Sequence, residues 1–268
     1  MLTRDARFAI VDRDGDVIGM LWRRQQEPTA QHGRDDVVAF GPYETELIAH
    51  RGMFYIDKIA LTANAGKTYL EVGTHNGASL APIRCASVAI DPSFKITENI
   101  MGEKSVCHLY QETSDDYFSA HDPKADLGST IDTAFLDGMH LFEYLLRDFI
   151  NVEKHCGPES TIFLHDCLPP TFEMTNRAGK MAERTYKGYW TGDVWKVVPI
   201  LQKYRPELTL TFYDCPPTGL VAVTGLVPAS PVLAERYNEA VAQWAENSGD
   251  FDNLRSFLGS VKITRTLV

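Results

Sequence analysis

The sequence predicts an α/β fold with a doubly wound, mostly parallel sheet, and three observations support this prediction. Short apolar runs typical of strands recur along the chain, the segments between them are helical or long enough to cross over, and a glycine-containing turn follows the first run. The predicted core strands lie at 68–73, 87–91, 105–110, 131–136 and 160–165. Because each crossover returns the chain to the same end of the sheet, we expect parallel strands with helices on both faces.

Length and composition favour one large domain. Hydrophobic side chains make up 44% of the 268 residues, which is enough for a sizeable core. With 26 basic and 36 acidic residues the formal charge is −10, which disfavours nucleic acid or an anionic membrane surface as a partner. Five cysteines without a Cys-x-x-Cys pair predict reduced thiols rather than a disulfide framework or a zinc knuckle.

The distribution of apolar residues predicts the cellular location. The first residues, Met1 to Arg7, are rich in charge, and no long apolar stretch follows them. No run elsewhere approaches the length of a bilayer span. We therefore expect a cytoplasmic protein without a membrane partner.

The first part of the chain is predicted to precede the sheet. Residues 1–44 are expected to form an N-terminal β-hairpin extension, because strand-like runs flank the turn Asp14-Gly15. The core domain is expected over 45–228, beginning with a helix at about 45–61 that covers an edge of the sheet.

The second half of the chain is predicted to complete the sheet and cover it. Segment 169–192 breaks the alternation of strands and helices at the carboxyl end of a strand, which is the usual place for a substrate lid. A helix is expected at about 194–204, and strands at 208–214 and 219–224 close the sheet as an antiparallel pair. The tail, 229–268, is expected to be helical. Its apolar stripe should pack on the core or on another subunit of a homo-oligomer, and consists of Leu233, Tyr237, Ala240, Val241 and Trp244.

An amphipathic helix is predicted after the fourth strand. Apolar side chains recur there at helical spacing, at Phe142, Leu145, Leu146, Phe149 and Val152. The Gly157-Pro158 pair is expected to end this helix. The stripe is predicted to belong to the core rather than to a ligand site.

The segment Glu71-Val-Gly-Thr-His-Asn-Gly77 is the first of two motifs that predict function. Its glycines let the backbone close over a small ligand without a Cβ in the way. Glu71 stands where the dinucleotide-binding fingerprint has its first glycine, and a carboxylate there repels phosphates and suits a cationic ligand. About twenty residues on, the next strand ends in Asp91, where nucleotide-binding α/β folds bind ribose hydroxyls.

The second motif consists of polar residues that follow two further strands. Asp137-Gly-Met-His140 comes after the fourth strand, and His165-Asp166 comes after the fifth. We expect these groups to meet at one rim of the sheet, where open α/β sheets bind ligands. Two carboxylates at close range repel each other unless a cation lies between them. Oxygen ligands favour Mg²⁺, or Mn²⁺ if an imidazole joins them.

Together these motifs resemble class I S-adenosylmethionine-dependent methyltransferases. Within that class the chain is similar to the metal-dependent O-methyltransferases, and most resembles the macrocin O-methyltransferase group, which modifies sugar hydroxyls of natural products. The resemblance covers roughly 69–226. It implies a Rossmann-like, seven-stranded sheet that is mostly parallel with a C-terminal antiparallel hairpin.

The resemblance also implies roles for particular residues. Asp137 and Asp166 would be metal ligands, and His140 would be the general base that removes the proton of a metal-bound hydroxyl. His165 replaces the first acid of the family's acidic pair, so it is a candidate ligand, a support for a ligand, or a substrate contact. The implied contacts to S-adenosylmethionine are Glu71, Gly73, Thr74, Asn76, Gly77, Ser79, Asp91 and Asp137, with Thr113 and Ser114 near the adenine.

The acceptor implied by the resemblance is a small molecule with a hydroxyl group. Candidate contacts to its sugar or aromatic ring lie in or next to the lid, at Tyr186, Tyr189, Trp190 and Asp193, although simple packing of the lid explains each of them equally well.

Other functions remain open at this point. A metal-dependent hydrolase could use the same Asp and His residues, but it would leave the Glu71 motif and Asp91 without a role. A non-catalytic protein could bind the cofactor only to sense it or to support a partner. A methyltransferase acting on nitrogen or a carboxylate would need a metal less.

Overall fold

The computed structural model describes residues 5–11, 17–24, 52–181, 188–245 and 250–266. In the first two ranges, strands β1 (Asp5–Val11) and β2 (Val17–Arg24) pair antiparallel, which confirms the predicted hairpin. The start of the helix expected at 45–61 lies outside the described residues. Residues 52–54 are not helical, which contradicts that part of the prediction. The helix α1 (Tyr55–Ala63) begins at Tyr55 and ends two residues later than predicted.

The remaining strands of the described chain form one sheet. They are β3 (Thr68–Val72), β4 (Ala86–Ile90), β5 (Cys107–Tyr110), β6 (Ile131–Leu136), β7 (Cys156–His165), β8 (Thr209–Tyr213), β9 (Leu220–Thr224) and β10 (Ile263–Thr264). Their spatial order is β10-β8-β9-β7-β6-β3-β4-β5. Strands β3 to β7 are mutually parallel, and β9 runs antiparallel to both β7 and β8. This confirms the predicted α/β class with its antiparallel C-terminal part.

The sheet reverses its strand order between β3 and β6. From β3 the chain proceeds outward through β4 and β5, and it then returns to place β6 on the other side of β3. Ligands in open α/β sheets bind at such a reversal, outside the carboxyl ends of the strands. The Gly73 turn follows β3 and Asp137 follows β6, so the two motifs start side by side at this point.

The described part of the sheet has eight strands instead of the expected seven. The additional strand, β10, comes from the tail and pairs parallel with β8. Both the backbone N–H and the hydroxyl of Thr266 donate to Asp214 Oδ1 at 2.7 Å, which holds the tail against this edge. The short strand covers backbone groups of β8 that would otherwise lack partners.

Helices cover the sheet on both faces. The further helices are α2 (Ser114–Ala120), α3 (Pro123–Leu127), α4 (Phe142–Glu153), α5 (Val197–Tyr204), α6 (Val232–Ala245) and α7 (Asp250–Ser260), with 3-10 turns at Phe172–Thr175 and Val194–Lys196. Leu70 and Val72 face a core that includes α4 to α7, whereas Tyr69 faces a second core that includes α1. This alternation along β3 confirms that the sheet is doubly wound.

The predicted end of α4 needs correction. The helix ends at Glu153, and Gly157-Pro158 lies within β7. The pairing of β6 with β7 shifts between Ile131 and Thr133, whose partners are Cys156 and Thr161. The intervening residues of β7 therefore bulge out of the ladder, and Pro158 needs no N–H to donate.

The predicted stripe of the tail packs on the protein's own core. Leu233 and Ala240 of α6 are buried, and Tyr237, Val241 and Trp244 pack against the same cluster. Assembly into a homo-oligomer stays a prediction. None of the described helices has the length and apolar character needed to cross a membrane.

Candidate active site

The turn after β3 brings the two predicted motifs into contact. Gly73 has φ 87° and Gly77 has φ 88°, and both values favour glycine. A Cβ added at Gly73 would overlap the backbone of Asp137. His75 also has a positive φ, of 47°. The turn therefore lies directly on the backbone that begins the second motif.

Glu71 lies inside the protein at the base of this turn. It is fully buried, and it accepts hydrogen bonds from the Tyr69 hydroxyl at 2.5 Å and from the Ser79 hydroxyl at 3.0 Å. Burial raises the pKa of Glu71 to about 7, although the hydrogen bonds from Tyr69 and Ser79 oppose this shift. Glu71 and Ser79 are thus bonded to each other in this structure rather than turned toward an open surface.

Asp91 connects the turn to the end of β4. Its Oδ2 accepts from the backbone N–H of His75 and its Oδ1 accepts from that of Ser93, both at 2.7 Å. A carboxylate has further lone pairs, so these bonds leave acceptors for ribose hydroxyls.

The other predicted cofactor contacts surround the same turn. Asn76 Oδ1 accepts from the N–H of Ala78 at 3.1 Å, and Thr74 is buried. Thr113 is the N-cap of α2, where its hydroxyl accepts from the N–H of Asp116 at 3.2 Å, and Ser114 begins the helix. The turn and this helix start thus flank the carboxyl ends of β3, β4 and β5.

The second motif forms a compact cluster of acids and imidazoles. Asp137, His140 and Asp166 each place a ligand atom within 4.8 Å of the others. His140 Nε2 lies 3.6 Å from Asp137 Oδ1, and His140 Nδ1 lies 3.4 Å from Asp166 Oδ2. This is the convergence of strand ends that the sequence predicts.

His165 lies beside this cluster, on the inner side of the carboxylates. Its Nδ1 is 3.1 Å from Asp137 Oδ1 and 3.4 Å from Asp166 Oδ1. Its Nε2 is buried without a hydrogen-bond partner among the described residues. The structure groups His140, rather than His165, with the two carboxylates as the set that could hold a metal. The ligand role of His165 stays a prediction.

The charges of the cluster shift its pKa values in opposite directions. Burial alone would raise the pKa of Asp137, but His165 and His140 outweigh it and hold that pKa well below its ordinary value. Burial would lower the pKa of His140, but the carboxylates of Asp166 and Asp137 raise it to about 9. The same carboxylates raise the pKa of His165. The imidazoles thus balance the charge of the carboxylates.

The segment before α5 covers His140. The Trp190 carbonyl lies 3.1 Å from His140 Nδ1, and the two rings stack with centroids 4.8 Å apart. A carbonyl oxygen only accepts, so this bond requires a hydrogen on Nδ1 and leaves Nε2 as the nitrogen that can take a proton. A Cβ at Gly192 would overlap the His140 carbonyl, so the backbone also packs closely here.

Two other residues that were predicted to contact the acceptor differ in their exposure. Tyr189 is partly exposed, whereas Asp193 is 1% exposed. Asp193 accepts from the Phe142 N–H and pairs with Arg177 and Lys196, so its oxygens are occupied. Tyr186 lies outside the described residues.

Tyr55 is a residue of the site that no motif predicts. It begins α1, and its ring lies 4.2 Å from the His165 ring and 6.0 Å from that of Phe135. Burial, followed by the charges of Asp137, Asp166 and Glu71, raises the pKa of Tyr55. Tyr55 was not identified from the sequence, because no motif or spacing in this part of the chain points to the site.

Residues 70–167 match the family model described as a methyltransferase domain. This segment runs from β3 to just past Asp166 and contains both motifs. Residues 70–167 are therefore similar to a methyltransferase domain. The match confirms the predicted resemblance to class I S-adenosylmethionine-dependent methyltransferases. No curated protein matches the chain in sequence.

Several solved structures are similar to this chain. One is an SAH-bound methyltransferase, PaMTH1, from Podospora anserina, with 12% identity over 65% of this chain and 78% of that one, at a TM-score of 0.46. Another is the O-methyltransferase TomG from Streptomyces achromogenes, in complex with SAM, with 14% identity over 65% and 80% and a TM-score of 0.46. A third is an O-methyltransferase from Bacillus cereus in complex with SAH, with 13% identity over 68% and 89% and a TM-score of 0.46. At these values the likeness bears on neither substrate nor mechanism.

The side chains of the Asp137, His140 and Asp166 cluster fit a divalent cation. Asp137 and Asp166 offer oxygens and His140 offers a nitrogen, a combination that suits Mn²⁺ better than Mg²⁺. Among the described residues the ion-pair partners of both carboxylates are histidines rather than Lys or Arg. The Thr218 hydroxyl donates to Asp166 Oδ1 at 2.6 Å and fixes the orientation of this carboxylate.

Proposed function

We propose that the protein transfers the methyl group of S-adenosylmethionine to a hydroxyl group of a small molecule, assisted by a divalent metal. The observation that carries this proposal is the convergence of Asp137, His140 and Asp166 within 4.8 Å, on backbone that touches the Gly73 turn. A hydrolase would use the cluster but not the adjacent turn, so it explains less of the site.

In this proposal the turn after β3 holds the cofactor. Gly73 and Gly77 leave the backbone open to a ligand, and Asp91 accepts from ribose hydroxyls. Glu71 acts from inside the protein, where its charge favours a cationic ligand over a phosphate. Thr113 and Ser114 lie where the adenine would be bound, and Asn76 and Thr74 border the turn.

Asp137 and Asp166 would hold the metal, at the end of the site nearest His140. When bound, a divalent cation supplies Lewis acidity that lowers the pKa of the acceptor hydroxyl. Asp166 is positioned for this role by Thr218, and Asp137 is positioned by His165. His165 thereby supports the site whether or not it becomes a ligand.

His140 would act as the general base rather than as a metal ligand, so the metal would be held by Asp137 and Asp166. Its Nδ1 is committed to the Trp190 carbonyl, and its Nε2 points toward Asp137, where the acceptor oxygen must come for methyl transfer. The carboxylates of Asp137 and Asp166 are what raise the pKa of His140, so this pKa would fall once positive charge balances them. His140 would then be neutral and able to accept the proton.

The experiment is a calorimetric titration of the full chain with S-adenosylmethionine, with and without Mn²⁺ or Mg²⁺, followed by a screen of hydroxyl acceptors for methyl transfer. We expect Asp91→Asn to weaken cofactor binding by roughly tenfold, the loss of one or two charge-assisted hydrogen bonds. Asp137→Asn and Asp166→Asn should abolish the response to metal.

The control is Glu159→Gln, which removes an exposed carboxylate near the start of β7 and should change neither titration. Absence of cofactor binding under every condition would overturn the proposal. Cofactor binding without metal response or methyl transfer would instead favour a non-catalytic protein that senses the cofactor.

A further inference from the structure

A cluster of charged residues outside the predicted site connects the segment over His140 to helix α4. We call Arg177, Glu143 and Asp193 the clasp. Arg177 Nη2 lies 2.5 Å from Glu143 Oε1, and Arg177 Nη1 lies 3.1 Å from Glu143 Oε2. The same Nη1 donates to Asp193 Oδ2 at 2.6 Å. One guanidinium thus joins two carboxylates from different parts of the chain.

Both carboxylates of the clasp meet the start of α4, the helix that begins just after His140 in the sequence. Glu143 is in the first turn of the helix, three residues beyond His140. Asp193 Oδ1 accepts from the Phe142 N–H at 3.1 Å, and the N-cap residue Leu141 offers no side-chain acceptor. Asp193 therefore caps α4 in place of Leu141.

Two stretches before α5 pack together as one unit over His140. We call the described residues 172–177 and 190–193 the cap. The N–H groups of Thr191 and Gly192 donate to the Met174 carbonyl at 3.0 and 3.1 Å. Trp190 Nε1 donates to the Asn176 carbonyl at 2.6 Å. The ring and carbonyl of Trp190 that contact His140 are therefore fixed to the stretch that carries Arg177.

We propose that Arg177 is a positioning residue that holds the cap against His140 and so orients the His140 ring toward Asp137 and Asp166. This inference rests on the proposed function, because it concerns the orientation of His140, whose Nε2 is the proposed general base. The clasp acts through Trp190, whose ring and carbonyl are the parts of the cap that contact the imidazole.

The rest of the fold does not depend on Arg177. Its guanidinium lies 5.7 Å from the centre of the Phe142 ring, and Arg177→Met keeps the apolar stem, so this variant uncovers little apolar surface. Asp193 keeps an ion pair with Lys196 at 3.3 Å, and Lys196 is paired with Asp250 at 2.7 Å. No buried carboxylate of the clasp is left without a cation when Arg177 is lost, so the variant should fold.

The test compares Arg177→Met, which keeps the apolar stem, with Arg177→Lys, which keeps the charge. Two readouts need no turnover: hydrogen exchange of peptides covering the cap, and the NMR signals of the His140 ring, identified by their loss in His140→Gln. Stacking on Trp190 shifts these signals through the indole ring current. We expect Arg177→Met to raise cap exchange about fivefold and move the His140 signals, with partial recovery in Arg177→Lys.

Two further variants sharpen the test. Glu143→Gln should reproduce Arg177→Met, and the double variant should add little, because both remove the same ion pair. Arg236→Met is the control, since Arg236 lies on α6 and pairs with Glu239 rather than with the clasp. It should leave cap exchange and the His140 signals unchanged.

The outcomes separate this inference from the proposed function. Unchanged cap exchange and unchanged His140 signals in a folded Arg177→Met variant would overturn the positioning role, whatever the activity. Changed signals in a protein that transfers no methyl group would support the clasp while overturning the proposed function. If methyl transfer is observed, Arg177→Met should lower kcat several-fold and leave cofactor affinity unchanged.

Discussion

At the residue scale, Tyr55 lies between the two motifs although it belongs to neither. Its ring packs on His165, and the charges of Asp137, Asp166 and Glu71 all act on its hydroxyl. A hydroxyl in this place is near both the cofactor turn and the carboxylates. Under the proposed function, this hydroxyl would contact the acceptor at the point of methyl transfer.

Tyr55→Phe tests the hydroxyl without disturbing the ring. We expect the unfolding free energy to change by less than about 1 kcal/mol, because the stacking on His165 remains. Methyl transfer should fall roughly tenfold, as expected for one hydrogen bond near the reacting atoms, while cofactor affinity stays the same. Steady-state kinetics and calorimetry measure the two effects. Tyr204→Phe, which removes a surface hydroxyl bonded to Glu239, is the control. Equal kinetics of Tyr55→Phe and wild type would contradict the assignment.

The site shows which single residues a sequence can predict. Asp137, His140 and Asp166 could be placed together because each directly follows a strand, and parallel strands end at one rim. Tyr55 could not, because it reaches His165 across about 110 positions of chain. The inward orientation of Glu71 also escaped prediction, because it depends on the Tyr69 and Ser79 hydroxyls that bond it.

At the scale of elements, the connection between β3 and β6 depends on the absence of a side chain at Gly73. A Cβ there would overlap the Asp137 backbone, and φ 87° is unfavourable for other residues. The turn and the second motif must separate to admit any larger residue, which would displace Asp137.

Gly73→Ala should therefore impair stability and binding together. We expect a loss of about 2–4 kcal/mol of unfolding free energy and the loss of measurable cofactor binding. Gly128→Ala is the matched control, because Gly128 has φ 72° but no atom within 4 Å of its Cβ position. It should cost only about 1 kcal/mol, from backbone strain alone. Urea unfolding and calorimetry measure both variants, and equal losses would show that steric overlap at Gly73 is unimportant.

Strand positions followed the sequence closely, and the exceptions have local causes. The five parallel strands lie within about two residues of prediction at most ends; the apolar runs of β3, β4 and β6 are largely buried on both faces, whereas β5 at the edge is only partly buried. Strand β7 begins earlier than predicted, at Cys156. Pro158 normally argues against a strand, but the shift in pairing with β6 accommodates it here.

At the scale of the whole molecule, the sequence predicted the sheet but not its full extent. The alternation of strands and helices implied the parallel order, and the resemblance implied the antiparallel closure. Strand β10 is two residues long, too short for any periodicity, and is fixed by the distant contact of Thr266 with Asp214. Such contacts are determined by tertiary packing and leave no local pattern.

A buried acid should also make the unfolding free energy of the whole molecule depend on pH. Asp148 of α4 is 3% exposed, and burial raises its pKa from 3.8 to about 7, with Asp115 adding to the shift while Ser114 and Arg147 oppose it. The folded state therefore binds this proton more tightly than the unfolded state does. The resulting stabilisation is complete below about pH 4 and is lost as pH rises through 7.

Asp148→Asn removes this dependence, because the amide occupies the same volume without ionising. The unfolding free energy of the variant relative to wild type should increase between pH 5 and pH 8, by roughly 2.5 kcal/mol. Urea unfolding at both pH values measures the unfolding free energies of the variant and the wild type. Because Glu71 and the histidines titrate in both proteins, their contribution cancels in the difference. Glu159→Gln, which removes an exposed carboxylate, should show the same free energy as wild type at both values. If the gap between Asp148→Asn and wild type is the same at pH 5 and pH 8, Asp148 titrates at its ordinary pKa, and its burial costs no stability.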